Sequence, residues 1–169
     1  MHADVNLMWR NYIPGNYLSL STVGHGMELF EQLVRFETDF WNAIERRLGE
    51  GGQIGLGTLQ ALRVLDRHAG TGRVHELSQE LSISIGAASK LVDRLERDGL
   101  ALRRPHPEDR RSSLVSLTPA GQSARVGAEA IARRFSARVL DDSADSAALA
   151  DVLQHLQERL DNANRELIS

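Results

Sequence analysis

Apolar side chains recur at spacings of three and four from about Gly26 to Leu48, through Met27, Leu29, Phe30, Leu33, Val34, Phe36, Phe40, Trp41, Ile44 and Leu48. This spacing places them on one side of an α-helix, and the stripe is wide enough that burial is expected. The glycine-rich GEGGQIGLG breaks the pattern and reads as a linker. Thr58 is then placed to cap a second helix, LQALRVLDRHA, which Gly70 closes. Residues 1–24 hold Trp9, Tyr12 and Tyr17 around a Pro14-Gly15 turn signal without a sustained period, and are expected to form an arm with at most a short helix.

The middle of the chain changes rhythm twice. Val74, Leu77 and Leu81 mark a short helix, and Ser82-Ile83-Ser84 reads as a polar turn with Ile83 pointing inward. Ser84 can cap a third helix with the apolar face Ile85, Ala88, Leu91, Val92 and Leu95, ended by Gly99. Two short helices joined by a tight turn make a helix-turn-helix. LALRRPH and SSLVSLT then alternate with period two on either side of a charged tip, which predicts a β-hairpin. Thr118-Pro119 opens a helix to about Leu140, and Leu149, Val152, Leu153, Leu156 and Leu160 stripe a last one after DDSADS.

The fold class expected from this order is mainly α with a small β-hairpin wing, a winged helix-turn-helix core flanked by N- and C-terminal dimerisation helices. Residues 1–24 form the arm, 25–56 a dimerisation helix with its glycine-rich linker, 57–121 the winged core, and 122–169 the C-terminal dimerisation helices. The flanking stripes carry more apolar surface than so short a core can cover, and an uncovered stripe of that width marks an interface. A two-fold dimer would set two recognition helices one DNA turn apart, roughly 34 Å, as a palindromic operator requires.

Composition narrows the function classes. The chain has 169 residues, 41% apolar and 25% charged, which suits one soluble folding unit. No window reaches the roughly 18 apolar residues of a membrane span, and no signal pattern opens the chain, so a cytoplasmic protein is expected. The absence of cysteine excludes disulfides, thiolate metal sites, thiol nucleophiles and thiol switching. A net charge of −3 excludes a uniformly basic nucleic-acid binder, but the charges are segregated. Residues 101–111 hold four arginines against two acids, whereas 141–169 hold seven acids against two arginines.

The third helix is the candidate for the major groove. Ser84, Gly86, Ala87, Ser89 and Lys90 lie on the face left over once the apolar stripe is buried, with Arg94 further along. Small residues at 86 and 87 permit close backbone approach, while Ser89 and Lys90 can donate to bases or phosphates. With few long side chains for base readout, phosphate contacts and DNA shape are expected to carry much of the specificity. An ordinary solvated helix face fits the same residues. The hairpin tip, RPHPEDRRSS, projects Arg110 and Arg111 from a proline-stiffened turn, as a minor-groove reader needs, and Asp109 can aim an arginine through a fork-shaped ion pair. A charged tip that resists aggregation is the competing reading, disfavoured directly after a helix-turn-helix.

Residues 57–121, and above all LVDRLERDGLALRRPHPEDRRSSLVSLTPAG, resemble the winged core of the MarR family of bacterial transcriptional regulators. The resemblance implies an obligate homodimer on double-stranded palindromic DNA, usually repressing nearby genes. It also implies a small ligand, often a phenolic or aromatic acid, bound between the dimerisation helices and the DNA-binding lobe. Asp109 and Arg111 then take the family's wing pair, Arg110 the variable tip position, and Ser84 to Lys90 the start of the recognition helix. Gly86 and Ala87 depart from the hydroxyl residues frequent there, which puts direct base contacts at those two positions in doubt.

Other chemistry finds little support. His2, His25, His68, His75, His106 and His155 are dispersed, so no metal site within one chain is expected, although one assembled across a dimer stays open. GEGGQIGLG fits no nucleotide-binding pattern. No cofactor and no enzymatic activity are expected. For an effector, Trp9, Arg10, Tyr12 and Tyr17 in the arm, with His25 and Arg35, can supply an aromatic clamp and a cation for a carboxylated ligand. Packing of the arm across a partner subunit would use the same residues. Two function classes remain: a ligand-responsive DNA-binding regulator, and a winged-helix module that binds protein or RNA, against which Lys90, Arg94, Arg110 and Arg111 argue.

Overall fold

Where the stripes of three short helices meet the hairpin, the chain builds one apolar core. The computed structural model describes residues 25–70, 72–107, 113–140 and 143–166. Among these, the order is α1 (His25–Glu50), α2 (Leu56–Arg67), α3 (Val74–Glu80), α4 (Ile85–Arg97), β1 (Ala101–Pro105), β2 (Ser113–Leu117), α5 (Pro119–Leu140) and α6 (Ser143–Glu166). They form two compact units, one ending at Ile131 and the other beginning at Ala132. The mainly helical fold with a hairpin wing is thus as the periodicity predicts.

In the first unit Leu62 and Leu65 of α2, Leu77 of α3, Val92 and Leu95 of α4, Ala101 of β1 and Val115 of β2 are buried in a single cluster. Burying each of the larger side chains is worth about 1.5–3 kcal/mol, enough to hold short helices that would not persist alone. The strands pair antiparallel from Ala101 opposite Leu117 to Pro105 opposite Ser113. A third, single-residue rung that the alternation does not announce joins them: the Val115 N–H donates to the Gly72 carbonyl at 2.6 Å.

Helix ends follow local rules with two exceptions. α1 closes in a Schellman turn in which Gly52, at φ 62°, donates to Gly49 and Gln53 donates to Leu48, so the glycine-rich stretch is a cap as well as a linker. α4 closes the same way on Gly99. α3 uses Ser82 at φ 51° in that role, where a side chain clashes with its own backbone. Ser82→Gly is therefore expected to raise stability by about 0.5–1 kcal/mol after the entropic cost of glycine, checked by thermal melting against the wild-type chain.

The second exception corrects the expected cap of α2. The helix begins at Leu56 behind Gly55, so Thr58 lies inside its first turn. Its leading Leu56 N–H donates instead to Glu45 Oε2 of α1 at 2.7 Å. A Cβ on residue 55 would stand 2.6 Å from Glu45 Oε1, so a larger residue there would displace the capping carboxylate. The capping carboxylate comes from eleven residues away, so no local pattern contains it.

Within a single chain the α1 stripe is covered only in part. Ile44 and Leu48 are buried, but Met27, Leu29, Phe30, Leu33 and Phe36 are between 40% and 64% exposed. Among the described residues, the buried side chains of α1 lie in its last two turns. Ion pairs join other elements: Arg125 of α5, held by Glu129 of its own helix at 2.5 Å, reaches Asp66 of α2 at 3.3 Å, and Glu80 of α3 accepts from Arg67 and His68 at the end of α2. The Arg67 bond, then the His68 bond, hold the Glu80 carboxyl below its ordinary range. In the second unit, Leu149, Val152, Leu153 and Leu160 of α6 are exposed. No helix among the described residues is long and apolar enough to cross a membrane.

Candidate nucleic-acid interface

The recognition helix starts from its cap. Ser84 Oγ accepts from the Ala87 N–H at 3.2 Å, as its position before an apolar run predicts. Burial of Ala88, Val92 and Leu95 fixes which face of α4 is left outward. Ser84, Gly86, Lys90 and Arg94 are exposed there, with Ala87 and Ser89 half-buried beside them. A Cβ on residue 86 would meet nothing within 4 Å, so the fold itself does not require glycine at that place. Lys90 and Arg94 make no ion pair among the described residues, which leaves two cations on the outward face.

One apolar assignment is overturned. Ile85, counted with the buried stripe by its spacing, is 58% exposed. It occupies the first position of α4, where the core has not yet closed over the helix.

The acids of α4 are engaged by the wing. Arg103 of β1 donates to Asp93 Oδ1 at 2.7 Å, its Nε faces Glu96 Oε2 at 3.3 Å, and its backbone N–H donates to Glu96 Oε1 at 2.9 Å. Acids three residues apart on a helix share a face, so one arginine reaches both. This clamp sets the hairpin against the recognition helix. A second tie holds the far end of β1: Arg73, just before α3, donates to His106 Nε2 at 2.8 Å. Sequence reasoning missed the clamp, although an acid pair at spacing three followed by a strand arginine is a signal that can be searched for.

Asp109, Arg110 and Arg111 lie between the two strands, outside the described residues, as do Trp9, Arg10, Tyr12 and Tyr17. His25 opens α1, with its side chain outside the description, and Arg35 is exposed on the same helix. Among the described residues no group of three or more histidines, aspartates or glutamates is arranged to hold a metal ion.

A cap, an outward cationic face and a wing clamped to the recognition helix can be compared with known proteins. The MarR family model matches residues 57–113, the stretch from α2 to the start of β2. The winged core is similar to the MarR family over that stretch. Over 46 residues the chain is 46% identical to the multiple antibiotic resistance protein MarR of Salmonella typhimurium, covering 27% of the chain and 32% of that protein. The match thus spans about a third of the curated relative. A MarR variant from Escherichia coli solved with operator DNA has a TM-score of 0.71 at 21% identity, covering 81% of this chain and 99% of that one. CouR from Rhodococcus jostii, solved with p-coumaroyl-CoA, has a TM-score of 0.65 at 24% identity, covering 74% and 88%. At such identities the likeness speaks for a shared fold.

Proposed function

We propose that this protein is a dimeric, sequence-specific DNA-binding transcriptional regulator acting as a repressor. The observation that carries the reading is the outward face of α4, where Lys90 and Arg94 make no ion pair among the described residues while Asp93 and Glu96 are engaged by the wing. In this reading α4 enters the major groove and Lys90 and Arg94 neutralise phosphates, releasing counterions. The wing tip carries Arg110 and Arg111 into the flanking minor groove, with Asp109 aiming a guanidinium.

Dimerisation through the flanking helices is supported by the exposed apolar residues of α1 and of α6. A small aromatic or phenolic acid is the proposed effector, with Trp9, Arg10, Tyr12, His25 and Arg35 as its candidate contacts. That CouR was solved with an aromatic acyl thioester supports a ligand of this type.

The test is binding to labelled DNA from upstream of the protein's own gene at two salt concentrations, beside the double variant Arg110→Ala/Arg111→Ala. Wild type is expected to bind tightly with a steep salt dependence. The double variant is expected to lose at least tenfold in affinity, with a shallower salt slope. Equal affinity and slope for both proteins would return the wing tip to ordinary surface.

A further inference from the structure

Ile85 is the residue whose sequence pattern and placement disagree most sharply. Its spacing from Ala88, Val92 and Leu95 belongs to a core stripe, yet it is 58% exposed while those three are buried. It directly follows the capping Ser84, and the N-terminal turn of a recognition helix is the part that reaches base edges. Gly86 beside it has open space around its backbone, and Ser89 stands one turn on, so nothing bulky within α4 shields Ile85 from a groove.

The chemistry of this turn is short of hydrogen-bonding reach. Ser84 Oγ accepts from the Ala87 N–H, which holds this short hydroxyl against the helix end, Gly86 and Ala87 have no polar side-chain atoms, and Ser89 is half-buried. What the turn does offer is a branched aliphatic side chain in water. In the major groove the complementary apolar feature is the C5-methyl group of thymine. We infer that Ile85 is a specificity-determining residue that packs on a thymine methyl in each half-site, so that this protein reads part of its operator by apolar contact. The inference rests on the DNA-binding reading above and goes beyond it by assigning one residue to one base feature.

The experiment exploits uracil, which pairs like thymine but lacks the methyl. A binding site is first selected from a random DNA library with the full-length wild-type protein. Each thymine of the selected site is then replaced singly by uracil, and Kd is measured for wild type, Ile85→Ala and Ile85→Val. Melting curves for the variants check folding, which an exposed first-turn residue should leave unchanged.

For wild type, one thymine per half-site is expected to show a penalty of about fourfold on losing its methyl, the scale of one buried carbon group. Ile85→Ala should bind thymine and uracil equally at that position, and Ile85→Val should retain most of the discrimination. Penalties that are absent, or identical in wild type and Ile85→Ala, would overturn the assignment and leave the regulator reading standing. Failure to enrich any sequence from the library would sink the regulator reading and this inference with it.

Discussion

Gly121→Ala is expected to destabilise the protein by about 3 kcal/mol or more and to lower its melting temperature by roughly 10 °C. A Cβ on residue 121 would lie 1.9 Å from the Leu100 carbonyl oxygen and 2.9 Å from its carbon, and both are backbone atoms with no rotamer to escape into. The joint is also crowded with hydrogen bonds. Thr118 Oγ1 accepts from the Gly121 N–H at 3.0 Å and donates to the Gly99 carbonyl at 2.7 Å, while the Thr118 N–H donates to Leu100 at 3.1 Å. Any shift that relieves the clash pulls on the end of α4, the start of the wing and the first turn of α5 together. The same substitution at Gly127 supplies the contrast. There the new Cβ would meet only the end of the Gln53 side chain, at 2.7 Å, which can swing aside. Helix propensity alone predicts a gain of about 1 kcal/mol at both positions. Melting curves of the two variants decide: similar stabilities would refute the close-approach account.

Removing both acids of the clamp, in Asp93→Ala/Glu96→Ala, is expected to weaken binding to specific DNA about tenfold while strengthening binding to non-specific DNA. Electrostatics alone predicts tighter binding to every sequence, since the change removes two negative charges from α4. The clamp predicts the opposite for specific DNA. Without Asp93 and Glu96, Arg103 no longer fixes the hairpin against α4, and its backbone N–H loses the Glu96 acceptor. Each wing side chain must then be immobilised on binding, at about 0.5–1.5 kcal/mol apiece. The Asp93 and Arg103 side chains are 59% and 29% exposed, so the ion pairs themselves add little stability, and the unfolding free energy should fall by only about 1–2 kcal/mol. Competition binding with specific and random duplexes measures both affinities. Were specific and non-specific binding to strengthen in parallel, the acids would be electrostatic brakes and the clamp would have no positioning role.

Much of the architecture follows from patterns that are short in sequence. Ser84 before an apolar run, Gly99 after one, and Thr118-Pro119 ahead of α5 are local signals, and each helix boundary they announce lies where the chain places it. The alternation in LALRRPH and SSLVSLT likewise yields the antiparallel pairing of β1 and β2. The outward placement of Lys90 and Arg94 was legible because a buried face of Ala88, Val92 and Leu95 leaves few alternatives on so short a helix.

What escaped a sequence reading depends on residues far apart in the chain or on where a surface ends. Glu45 caps α2 across a distance that makes Thr58 look like the better candidate. Ile85 and the α1 residues from Met27 to Phe36 share the period of buried residues, yet a period reports only a common face and not whether anything covers it. The sequence by itself determined the element order, the helix caps at Ser84 and Thr118, and the cationic face of α4, because these arise from neighbours one or two turns apart. Only the tertiary structure decided that Arg103 binds the acids of α4, that Gly121 lies against Leu100, and that Ile85 stays in solvent. Those outcomes depend on how separately formed elements pack, and packing geometry is not contained in the period of any one of them.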